Sequence, residues 1–243
     1  MNVLVLGATS GVGESLALEF ASGNHVSLCG RQAGRLEAVA AGCRGAGAAG
    51  ARVLAADLSA GTASLLAQLG SESVDLCFNA ASATSGLRDG DVDLRRLRAC
   101  AEVDFLAPLD LVLALRERQP ARPPRTVLIS SLLAGLPSPD RDIYGSLKRL
   151  QEASLRQAAA RWPGFDVRVI RVGKVLATGP ASADTSRLAR FTRQLLDGNR
   201  RLATWGATGR ALEALFCLQP LAFQAVMALR RRTCGRNLKR EPV

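Results

Sequence analysis

Short apolar runs alternate along the chain with longer segments whose apolar positions recur at helical spacing. The runs predict strands at about 2–7, 25–29, 52–56, 74–78, 125–130 and 166–172. Between them the spacing predicts helices near 11–22, 33–43, 60–69, 91–119 (broken) and 142–162. This is the pattern of repeated βα units, which wind a parallel sheet with helices on both faces. After about residue 178 the alternation weakens. Residues 182–199 still read as a helix, with Leu188, Phe191, Leu195 and Leu196 on one face. The Gly- and Ala-rich stretch 42–50 reads as the end of a helix before the third strand.

The totals fit this picture. A chain of 243 residues with 48% hydrophobic residues can bury the core of one sizeable α/β domain. Cys29, Cys43, Cys77, Cys100, Cys217 and Cys234 form no C-x-x-C pair, and His25 is the single histidine, so no metal site is expected. Scattered cysteines, a first strand with no basic leader before it and no apolar run of membrane-spanning length lead to the expectation of a cytoplasmic protein. The net charge of +11 suits anionic partners in general and selects none of them.

Chemistry enters at Gly7-Ala8-Thr9-Ser10-Gly11-Val12-Gly13, where the first strand meets the first helix. Glycines there permit a tight turn and close approach of a pyrophosphate, and a helix N-terminus offers N–H groups to its charge. The second strand ends in Gly30-Arg31, with no carboxylate to accept from ribose hydroxyls. A guanidinium at that point suits a 2′-phosphate by charge and by fork geometry, so NADP(H) is the expected cofactor.

Together with Tyr144-Gly145-Ser146-Leu147-Lys148, and with Ser130-Ser131 ending a strand 13 residues before Tyr144, the glycine loop resembles the short-chain dehydrogenase/reductase family from residue 2 to about 178. Gly30-Arg31 with Leu36, Ala56-Asp57-Leu58 and Phe78-Asn79-Ala80-Ala81 are similar to further motifs of that family, in the same order. The resemblance implies a single Rossmann-type domain, with 1–178 as cofactor and catalytic core and 179–243 shaping the substrate pocket. It also implies a small carbonyl or alcohol substrate and a homo-oligomer, a dimer or tetramer.

The physical reading of the expected catalytic set is coherent. Tyr144 and Lys148 lie four residues apart, on one helical face. A neighbouring cation favours the phenolate, so Tyr144 is placed to exchange a proton with a substrate oxygen as hydride moves to or from nicotinamide. Ser131 would hydrogen-bond that oxygen. By resemblance, Lys148 also holds the nicotinamide ribose, Asp57 and Leu58 meet the adenine, and Asn79 and Ala80 support the cofactor. Val172-Gly173-Lys174-Val175 takes the place of a Pro-Gly-x-Val segment, bringing Gly173 and Val175 to the nicotinamide amide. Thr9, Ser10, Gly11, Val12 and Gly13 complete the cofactor set. Asp104 stands where the family carries a fourth catalytic residue, an asparagine; it either pairs with Lys148 or alters the proton relay.

The tract 212–229 is apolar but interrupted by Glu213, Gln219, Pro220 and Gln224, and Arg230-Arg231-Arg232 follows it. It reads as a substrate lid, core or oligomer interface, or as a peripheral contact with an anionic membrane face. Nucleic-acid binding is not expected, since seven Phe, two Trp and one Tyr make no aromatic–basic stacking pattern. The changes at Asp104 and in Asn79-Ala80-Ala81-Ser82 keep an alternative open: a nucleotide-binding regulatory or scaffold protein with attenuated catalysis.

Overall fold

The computed structural model describes residues 1–83, 90, 93–136, 142–173, 181–207, 209–211 and 214. The expected position Val175 and the tract 212–229, apart from Ala214, lie outside these residues. Among the described residues, seven strands form one sheet: β1 (Asn2–Leu6), β2 (His25–Gly30), β3 (Gly50–Ala55), β4 (Leu76–Asn79), β5 (Arg125–Ser131), β6 (Val167–Val172) and β7 (Leu202–Thr204). All pairings between them are parallel, in the order β3-β2-β1-β4-β5-β6-β7. The chain leaves β1 toward β2 on one side and returns to β4 on the other. A crevice therefore opens at the C-terminal ends of β1 and β4, where such sheets bind ligands.

Helices cover both faces, as the continuous apolar runs require. Along β1, Val3 and Val5 point to one face and Leu4 and Leu6 to the other, all buried. The first face packs against α1 (Gly11–Glu19), α2 (Ala33–Gly45) and α7 (Ala183–Asp197), through Leu16, Phe20, Leu36, Val39, Leu188 and Leu195. The second packs against α3 (Ala63–Leu69), α5 (Ala107–Arg118) and α6 (Asp142–Arg161), through Leu65, Leu111, Leu115 and Leu155. This is the expected doubly wound three-layer α/β/α fold. Cys29, Cys43, Cys77 and Cys100 are buried, as expected of small core residues.

Several boundaries depart from expectation for local reasons. Helix α1 stops at Glu19 because the Asn24 amide donates to the Phe20 carbonyl and holds a turn there. A 3₁₀ turn at Leu58–Ala60, ended by Gly61 at φ +87°, delays α3 to Ala63. Strand β7 was not expected; three residues after Arg200-Arg201 carry too little periodicity to announce it. The expected break in 91–119 is a π turn, Glu102–Leu106, between α4 (Leu94–Ala101) and α5. Pro108, in the first turn of α5, has no N–H for the Asp104 carbonyl, and its ring would crowd that carbonyl in a regular helix. The wider turn relieves the conflict, with the Ala107 N–H reaching back to the Glu102 carbonyl.

Candidate active site

The glycine loop closes on itself and leaves no room for side chains. Gly7 has φ +74°, and a Cβ there would lie 2.8 Å from the backbone of Ala80 and Ala81 on the neighbouring loop. A Cβ on Gly13 would lie 2.2 Å from the Gly7 carbonyl oxygen. Ser10 caps α1: its Oγ donates to the Gly7 carbonyl at 2.8 Å and accepts from the Gly13 N–H at 3.0 Å. Gly11 and Val12 form the buried first turn. Glu14, in that turn, is occupied by the Ala181 N–H at 3.0 Å and so is held toward α7. The result is a backbone cradle at a helix N-terminus, a shape that fits the pyrophosphate of a dinucleotide.

Beside it stands the end of β2. Arg31 is exposed, and its charge contributes to holding the Asp57 carboxyl below the usual range, after the larger effect of the Ser59 N–H that the carboxylate accepts. Leu58 is buried beneath. Arg35 reaches the same rim, its Nη2 donating to the Thr9 carbonyl at 2.7 Å. Sequence reasoning missed Arg35, although it lies one helical turn beyond Arg31.

On the other side of the crevice, Asn79 ends β4 fully buried. Its Oδ1 accepts from the Ala81 N–H at 3.3 Å, while its Nδ2 has no protein partner. A buried amide with one unpaired end, aimed from the loop that carries Ala80, fits a site completed by a ligand.

The expected catalytic residues come from three elements. Ser131 ends β5 and caps the turn after it, accepting from the Leu133 N–H at 3.2 Å. Gly145 lets α6 press onto that turn, since a Cβ there would lie 2.6 Å from the Leu133 carbonyl oxygen. Tyr144, the residue before it, thereby enters the same neighbourhood, half-buried in the first turn of α6. One turn on, Lys148 is buried with its Nζ 5.9 Å from the centre of the Tyr144 ring. The ammonium pairs with Asp104 Oδ1 at 3.2 Å and donates to the Ala81 carbonyl at 3.5 Å. Asp104 Oδ2 accepts from the Ala83 N–H at 2.9 Å. The pair with Lys148 is one of the two arrangements expected of Asp104. Gly173 follows β6, where a Cβ would meet Leu132 at 3.4 Å.

A second buried group escaped the sequence reading. Glu152 of α6 is wholly buried and accepts from Ser130, Arg171 and Arg156. Two signals pointed to it: a carboxylate four residues after Lys148 on one face, and an arginine inside an apolar strand.

Known proteins share this fold. A short chain dehydrogenase family model matches residues 1–187. No curated protein matches the chain by sequence. A short-chain dehydrogenase from Sphingobium yanoikuyae, solved in complex with NADPH, is 22% identical, with a TM-score of 0.75 over 93% of this chain and 95% of its own. The bulky-bulky ketone specific alcohol dehydrogenase from Comamonas testosteroni is 20% identical, with a TM-score of 0.75 over 93% of each chain. A short-chain dehydrogenase from Streptomyces avermitilis is 21% identical, with a TM-score of 0.74 over 98% of this chain and 99% of its own. With the family match spanning most of the chain and the fold shared throughout, the chain belongs to the short-chain dehydrogenase family of oxidoreductases.

Proposed function

We propose that the chain is an NADP(H)-dependent oxidoreductase that interconverts a ketone or aldehyde with its alcohol. The observation that carries this reading is the buried Lys148 ammonium, 5.9 Å from the ring of Tyr144 and 3.5 Å from the Ala81 carbonyl, on the loop that Gly7 abuts. When bound, the cofactor would supply or accept hydride at its nicotinamide. Gly7, Thr9, Ser10, Gly11, Val12 and Gly13 would hold its pyrophosphate, and Arg31, with Arg35 beside it, its 2′-phosphate. Asp57 and Leu58 would flank the adenine, Asn79 and Ala80 would line the middle, and Gly173 and Val175 would meet the nicotinamide amide. The Sphingobium relative's complex with NADPH supports the choice of cofactor.

In reduction, Ser131 would donate a hydrogen bond to the carbonyl oxygen, and Tyr144 would pass it the phenolic proton as hydride reaches the carbon. In oxidation the phenolate would take the alcohol proton instead. Lys148 would hold the ribose beside Tyr144, while Asp104 would keep Lys148 in place. Residues 82–95 and 178–225 would shape the substrate pocket. The Asp104–Lys148 pair also favours the second reading, a cofactor-binding protein with attenuated turnover.

Titration with NADPH and NADH tests the proposal. A preference for NADPH that Arg31→Asp abolishes is expected. In a carbonyl screen, Tyr144→Phe should lose turnover and still bind NADPH. Failure to bind either cofactor would sink both readings, and binding without turnover on any carbonyl would select the second.

A further inference from the structure

We propose that Asp104 sets the relative affinity of the site for oxidised and reduced cofactor, by cancelling the charge of Lys148 next to the nicotinamide. The inference rests on the functional reading above. Lys148 is 2% exposed and Asp104 is 0% exposed, so water screens their charges poorly. The two cofactor forms share every phosphate, ribose and adenine contact. They differ in the ring, which is a cation when oxidised and neutral when reduced. A buried ammonium without a counter-charge would repel the first form and leave the second alone.

The carboxylate is fixed for this role. The Ala83 N–H holds its second oxygen at 2.9 Å, and the π turn holds its backbone. Among the described residues, the other fully buried carboxylate on the Lys148 side is Glu152, which Arg171 and Arg156 already neutralise. Arg149, next to Lys148, turns away to the Ala134 carbonyl. Asp104 is therefore the group that offsets the ammonium. A paired, neutral site tolerates the cationic ring, so the oxidised form binds closer in strength to the reduced one than it would beside a lone lysine.

Calorimetric dissociation constants for NADP⁺ and NADPH give the test, because their ratio cancels every contact the two forms share. Asp104→Asn should raise Kd(NADP⁺)/Kd(NADPH) by about threefold or more, since a unit charge in a poorly screened site acts over several ångströms. Asp104→Glu should hold the ratio near that of the parent. The double variant Asp104→Asn/Lys148→Met removes both charges and should bring the ratio back to within about twofold of the parent. Asp104→Ser, smaller and also uncharged, repeats the measurement if Asp104→Asn does not fold. Equal weakening of both forms in the neutral variants would overturn the inference and reduce Asp104 to a scaffold, with the functional reading intact. Absence of binding in the parent protein would overturn the functional reading and this inference together.

Discussion

Arg171 on β6 grips Glu152 on α6 with two prongs, Nε to Oε1 at 3.0 Å and Nη2 to Oε2 at 2.7 Å. Ser130 Oγ donates to the same Oε1 at 2.6 Å, and Arg156 Nη1 to Oε2 at 3.2 Å. One carboxylate thus ties β5, β6 and α6 together directly behind Ser131 and Lys148. Even the turn after β5 is fitted to it, since a Cβ on Gly135 would lie 2.9 Å from Arg171 Nη1.

Removing Arg171 leaves the buried Glu152 carboxylate with the more exposed Arg156 as counter-charge, so much of its burial goes uncompensated. Arg171→Met should cost about 3 kcal/mol in urea unfolding. Arg171→Met combined with Glu152→Gln should cost less than the single change, because no orphaned charge remains. A single variant as stable as the parent would show that the carboxylate finds other partners.

The glycines divide by what surrounds them. Gly13→Ala forces a methyl group against the Gly7 carbonyl and should cost about 2 kcal/mol, with loss of nucleotide binding. Gly34→Ala in α2 meets nothing within 4 Å and should add about 0.5–1 kcal/mol through helix propensity and a less flexible unfolded chain. Thermal melts of the two variants, which should move in opposite directions, check the contrast.

Stability should also fall in alkali. Burial pushes the thiols of Cys29 and Cys77 up to about 12, from an ordinary value of 9.0. Above about pH 9 the unfolded chain releases these protons while the folded chain keeps them. The unfolded state then binds fewer protons, so its stability relative to the native state grows with pH. Each thiol should cost up to about 1.4 kcal/mol per pH unit until the native value is reached. Urea unfolding under reducing conditions at pH 8, 9 and 10 reads the slope. Replacing both cysteines with alanine should flatten it; an unchanged slope would assign the loss to other groups.

Most of the scaffold was legible because its signals are local. Val3 to Leu6 announce a buried strand by themselves, and Gly7 follows at the place where only a glycine clears Ala80. The Tyr144–Lys148 spacing is a property of one helix. Tertiary relationships were harder to read. Glu152 and Arg171 are 19 positions apart, and nothing near either one names the other. Asp104 and Lys148 could be suspected of pairing, but the contact depends on how α6 lies against the π turn. Strand β7 is held by its register with β6, Ile170 opposite Ala203, more than by its own three residues.

The π turn carries one backbone position more than an ordinary helical turn would. Across it, the apolar side of α5, with Leu111, Val112 and Leu115, falls out of step with Cys100 on α4. The largely exposed α4 and the buried α5 can therefore each keep their own phase, and only α5 has to match the core. Asp104 sits at the joint between them, where its direction is set by neither half alone. A helix with a uniform period could bury α5 or aim that carboxylate at Lys148, and the irregular turn allows it to do both.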